Sequence, residues 1–161
     1  MKIAISAEST IDLPKEILNK YNIKTVPFTI LLGEETVLDG EVPTETIFDY
    51  VTEHKVLPKT SAVNEFQYEE HFANLLKDAD AIVHYALSSE MSCAYTNAVK
   101  ASKKFKNVYV VDSRSLSTGI ALLAIKAAKM AEAGKSAEEI FEQTNADTAL
   151  VQASFVINKL D

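Results

Sequence analysis

The chain has 161 residues, 47% hydrophobic and 24% charged, the balance of one globular domain at ~150 residues per domain. Sixteen Lys and Arg against 23 Asp and Glu give a net charge of −7, which argues against a nucleic-acid or anionic-membrane surface, since both need a clustered basic face. Gly33, Gly40, Gly119 and Gly134 are too far apart for G-x-G-x-x-G or G-x-x-x-x-G-K-[ST], excluding the standard nucleotide loops. The lone Cys93 excludes a disulfide framework and a cysteine-based zinc site.

Lys2 to Ser6 reads as a short strand that turns polar too soon for a signal-peptide core. Ile11-Asp12-Leu13-Pro14 opens a helix to about Tyr21, with Asp12 as N-cap and Pro14 in the first turn. Ile23 to Leu32 is β-rich, and Pro27 marks an edge or bulge within it. Gly33-Glu34 turns the chain into Glu35 to Leu38. Helices follow from Pro43-Thr44 to His54 and from the Asn64-x-x-Gln67 capping box to Lys77.

Ala81 to Leu87 is a strand, Met91 to Phe105 a helix and Asn107 to Val111 a strand. Ser117 to Ala133 is an alanine-rich helix stopped by Gly134, which should be buried over most of its circumference. Ser136-x-x-Glu139 caps one more helix, and Ala149 to Ile157 looks like a final strand. The alternation predicts an α/β domain of three layers with a mainly parallel sheet. The longest apolar run, Ile120 to Ile125, ends at Lys126, so no transmembrane segment is expected. A free cysteine without an export signal points to the cytoplasm.

Hydroxyls collect where strands end and helices begin: Ser6, Ser9 and Thr10; Thr60-Ser61; Ser88, Ser89 and Ser92; and Ser113, Ser115, Ser117 and Thr118. Each cluster alone reads as helix capping. Four on one side of a sheet read as a site for an anionic head group, because helix N-termini add unpaired N–H donors and partial positive charge. Catalytic candidates are poor. His84 sits inside a strand as a core imidazole, His54 and His71 read as helix-surface residues, and none lies beside a nucleophile or at metal-ligand spacing. Asp112-Ser113 reads as a turn. Cys93, near Ser92 at a helix start, has no evident His partner and reads as packing. No catalytic residue and no metal ligand is assigned.

The segments Ser6-Ala7-Glu8-Ser9-Thr10-Ile11-Asp12-Leu13-Pro14, Leu57-Pro58-Lys59-Thr60-Ser61, Leu87-Ser88-Ser89-Glu90-Met91-Ser92 and Val110-Val111-Asp112-Ser113 occur in that order. With Val26-Pro27 and Leu38-Asp39-Gly40, the series resembles the amino-terminal half of a DegV-family protein. The resemblance implies a bacterial, cytoplasmic, non-enzymatic carrier that needs no cofactor. It would hold one long-chain fatty acid in an apolar tunnel and present its carboxylate to a separate fatty acid kinase catalytic subunit. By motif, Thr60 or Ser61 and Ser92 would touch the carboxylate, with Ser9 and Ser113 nearby.

Three departures stand out. Glu8 replaces the family's Asp. Cys93-Ala94 replaces the Gly-Thr that follows the second serine, which puts the Cys93 side chain where backbone approaches the ligand. The family also has a second lobe that closes the site, so residues 1–148 would be the DegV-like lobe and 149–161 the first strand of a truncated second one. An exposed lobe interface would favour self-association. Two other readings compete: a phosphotransfer or kinase-like domain related in fold to dihydroxyacetone kinase, and a ligand-free structural domain.

Overall fold

The structure is a computed structural model describing residues 1–156. Its strands are β1 (Ile3–Glu8), β2 (Ile23–Val26), β3 (Thr29–Leu32), β4 (Glu35–Leu38), β5 (Lys59–Ser61), β6 (Ala81–Ala86) and β7 (Val108–Asp112). Its helices are α1 (Lys15–Lys20), α2 (Thr44–His54), α3 (Glu65–Leu75), α4 (Ala94–Ser102), α5 (Thr118–Glu132) and α6 (Ala137–Asp147). Two sheets form. One is parallel, in the order β2-β1-β6-β7; the other is antiparallel, in the order β4-β3-β5.

The parallel sheet is covered on both faces, and the strand period of two decides which residue goes where. Ile5, Ala7, Val83, Tyr85 and Val111 face α5 and α6, packing on Ile120, Leu123, Ala124, Ala127 and Ile140. Ile82, Ala86 and Val110 face α3 and α4, packing on Tyr68, Phe72, Ala94, Ala98 and Ala101. The alanines of α5 therefore serve close packing on the sheet. Its first turn is tighter still: a Cβ on Gly119 would lie 1.9 Å from Ser115 Oγ, so only glycine fits there.

The antiparallel sheet and α2 are far less buried. All three β5 residues are exposed, and no α2 residue is fully buried. Gly33 turns β3 into β4 with φ +67, a conformation that glycine adopts freely.

Several elements differ from the sequence expectation. The helix expected from Asp12 begins at Lys15, because Pro14 disfavours helical geometry at the residue before it. Ser9–Ile11 instead makes a 3-10 turn, ended by Asp12 at φ 53. The stretch Ile23 to Leu32 divides at Pro27-Phe28 into strands of different sheets. Pro27 has no N–H for a ladder, and the Phe28 N–H goes to Ser9 Oγ at 3.0 Å. Residues 59–61, expected as an approach to the next helix, form β5. The helix expected from Met91 starts at Ala94, after a turn over Ser88–Ser92.

The final strand expected over Ala149 to Ile157 does not form among the described residues. Thr148–Leu150 is a 3-10 turn, and 151–156 pair with no strand, so they lack the ladder that defines one. Ile157 lies outside the described residues. Among those residues no helix is long and apolar enough to cross a membrane.

Candidate functional site

The order β2-β1-β6-β7 places β2 on one side of β1 and β6 on the other. In open parallel sheets the crevice beyond such a reversal is where ligands bind. Here a side chain fills it. Glu8, the last residue of β1, is fully buried and accepts three hydrogen bonds. Tyr68 Oη donates to its Oε1 at 2.5 Å, His84 Nε2 lies 3.1 Å from Oε1, and the Leu87 N–H donates to Oε2 at 2.7 Å.

The network runs on along the same sheet face. Ser6 Oγ lies 3.0 Å from His84 Nδ1 and 2.7 Å from His71 Nε2. One set of protons satisfies every contact: His71 Nε2–H donates to Ser6, Ser6 O–H to His84 Nδ1, and His84 Nε2–H to Glu8. Burial, and next the neighbouring His84, lower the His71 pKa to about 3. Burial, then the adjacent Glu8, raise the Tyr68 phenol far above its ordinary value. The expectation that His71 lies on a helix surface is thus corrected. So is the expectation that no histidine adjoins a nucleophile, since two imidazoles meet at Ser6. That hydroxyl is fully buried, which keeps it from any substrate.

Outside this core lies a polar rim. Ser9 follows Glu8, and its Oγ holds the Phe28 N–H just ahead of β3. β3 pairs with β5 in the register Thr29↔Ser61 and Ile30↔Thr60. Thr60 and Ser61 are exposed, and neither hydroxyl has a hydrogen-bond partner among the described residues. Adjacent strand residues point to opposite faces, so the two cannot serve one ligand equally.

Asn97 ties this edge to α4. Its Nδ2 donates to the Val63 carbonyl at 3.0 Å and lies 3.7 Å from Cys93 Sγ. Cys93, expected inside the helix, is exposed and immediately precedes it. Its backbone, φ −77 and ψ 0, needs no glycine. Ser92 Oγ accepts the Ala94 N–H at 3.1 Å and caps the first turn.

The hydroxyls differ in what they have left to give. Ser9 and Ser92 use Oγ as an acceptor and keep their O–H proton; Thr60 and Ser61 keep donor and acceptor. Ser113 is fully buried and spends both functions on Ser115, donating to its carbonyl at 3.1 Å and accepting its N–H at 3.2 Å. Ser9 thus sits beside the start of β3, Thr60 and Ser61 on β5 next to it, and Ser92 and Cys93 just before α4, which Asn97 links to Val63; Ser113 lies in a separate turn. Sequence reasoning missed Ser6, Glu8, Tyr68, His71, His84 and Asn97 as one assembly. The only local signal was the alternation that sets Ser6 and Glu8 on one face of β1.

A cleft of about 640 Å³ is lined by Ser88, Met91, Leu116, Val151 and Phe155 among others, within the ~300–1,000 Å³ usual for small-molecule sites. Among the described residues no group of three or more His, Cys, Asp or Glu could hold a metal ion.

A family model described as "Uncharacterised protein, DegV family" matches residues 2–161. A DegV domain-containing protein of Clostridium perfringens is 29% identical over 163 residues, covering 99% of this chain and 58% of that protein. A Thermotoga maritima protein named fatty acid-binding protein is 31% identical over 148 residues, covering 89% of this chain and 51% of that one. A Thermus thermophilus structure titled for the fatty acid binding of a DegV-family protein superposes with TM-score 0.85 at 25% identity, covering 92% of this chain and 54% of that one. The chain thus spans little more than half the length of these relatives. With a model match from residue 2 to residue 161 and the same fold, the chain belongs to the DegV family.

Proposed function

We propose that the rim binds the carboxylate of a long-chain fatty acid and that the protein is a carrier rather than an enzyme. One observation carries this reading: among the described residues Ser9, Ser92, Thr60 and Ser61 each keep an O–H to donate. Neutral donors beside the first turn of α4 suit a monoanion and need no cation, which accommodates the net charge of −7. Cys93 lines the approach to Ser92. The acyl chain would run past Met91 into the cleft edged by Leu116, Val151 and Phe155.

The carrier presents the carboxylate to a separate fatty acid kinase in the cytoplasm. Residues 1–148 form the lobe, and 149–161 lead into a second. A phosphotransfer role is disfavoured because His84 is wholly buried in the sheet and burial holds His71 neutral.

Native mass spectrometry of the polypeptide carrying this chain, purified from its own cells, should show one bound fatty acid. A protein that arrives empty and ignores added palmitate or oleate overturns the reading. Ser92→Ala should weaken binding by roughly 1–3 kcal/mol, the worth of a hydrogen bond to a charged group. Thr60→Val and Ser61→Ala, tested separately, tell which face of β5 meets the ligand.

A further inference from the structure

We propose that Glu8 is a positioning residue of the carboxylate site, a buried group that fixes both halves of its donor set relative to each other from beneath, while Asn97 links them at the surface through Val63. The inference rests on the rim being that site. The halves come from distant parts of the chain. One is the Thr60/Ser61 edge, which hangs on β3, which in turn is held at Phe28 by Ser9. The other is Ser92, at the end of the Ser88–Ser92 turn. Glu8 touches both. It is one peptide bond from Ser9, and its Oε2 holds the Leu87 N–H that enters the turn.

The rest of the turn is internally fixed. The Met91 and Ser92 N–H groups bond to the Ser88 carbonyl, the Ser88 N–H to the Ser115 carbonyl, and Ser89 to the Asp112 carboxylate through N–H (3.1 Å) and Oγ (2.6 Å). Moving Leu87 therefore moves Ser92 as part of a rigid piece. Glu8 cannot drift, because Tyr68 and His84 hold its other oxygen. A buried carboxylate with three donors is costly to assemble and simpler to replace by apolar packing. Its position at the junction explains what it does there.

The test is Glu8→Gln, which keeps size and shape but sets an NH₂ against either the Leu87 N–H or the Tyr68 and His84 donors. The expected result is at least a tenfold rise in Kd for cis-parinaric acid, measured on protein shown folded by circular dichroism. Faster hydrogen exchange should appear at the Leu87 to Ser92 amides. Tyr68→Phe removes a donor on the far side of Glu8 and leaves the Leu87 contact; it should lower Tm while changing Kd less than threefold. It also supplies a second variant should Glu8→Gln fail to fold. The proposal is overturned if Glu8→Gln binds like wild type, or if Tyr68→Phe loses affinity as far as Glu8→Gln does. Wild-type protein that binds no fatty acid overturns the carrier reading instead, while the exchange at Leu87 to Ser92 still reports on the anchor.

Discussion

All six residues of β6 in the parallel sheet are buried, whereas all three of β5 in the antiparallel sheet are exposed. The two regions treat polar groups accordingly. In the parallel region Ser6, Glu8 and His84 are fully buried and bonded to protein, since a buried polar group without a partner costs ~1–3 kcal/mol. On the antiparallel edge the Thr60 and Ser61 hydroxyls have no hydrogen-bond partner among the described residues. The difference teaches that the first region satisfies its polar groups internally, while the second leaves hydroxyls facing outward.

Four measurements break or sharpen this contrast. The largest effect is expected from Phe72→Ala, because Phe72 is fully buried among Tyr68, His84 and Phe105. Chemical denaturation should show a loss of about 3–5 kcal/mol, the range for large aromatic truncations. A loss under 1 kcal/mol would mean that this face is not the core.

The second is pH dependence. The unfolded His71 takes a proton near its ordinary 6.5, while the folded one resists until about 3. Its stability contribution is complete above pH 6.5 and declines as pH falls toward 3, by up to ~1.4 kcal/mol per pH unit. His71→Gln should flatten that slope in urea titrations between pH 6.5 and 4.

The third is Ser136→Ala, which breaks the capping box of α6 and should lower stability by about 1 kcal/mol. The smallest effect belongs to the antiparallel edge. Thr60→Val should change unfolding free energy by less than ~0.5 kcal/mol, as exposed substitutions do. A large destabilisation there would make Thr60 a structural residue.

Legibility followed distance along the chain. The boxes Asn64/Gln67 and Ser136/Glu139 were readable because their partners are three residues apart, and both form. α5 was readable from its composition, and its buried face matches. β5 was not, since three exposed residues carry no hydrophobic period. The helix expected at Asp12 was misplaced because Asp12 resembles an N-cap, yet Pro14 governs the residue before it.

The site divides the same way. That hydroxyls gather at strand ends was visible in the sequence, as was the motif order that marks the family. Which of them could donate was not. Ser113 and Ser92 look alike in sequence, yet one spends its proton on Ser115 and the other keeps it.

The sequence by itself determined the helices, the capping boxes, the alternation of strands and the family. Each of these rests on neighbours within a few residues or on a repeating period. Only the tertiary structure decided that Tyr68 and Leu87 meet at Glu8, and that His71 and His84 meet at Ser6. These pairs lie 60 to 79 residues apart. They leave no local pattern, because a buried hydrogen bond is selected by the packing that encloses it.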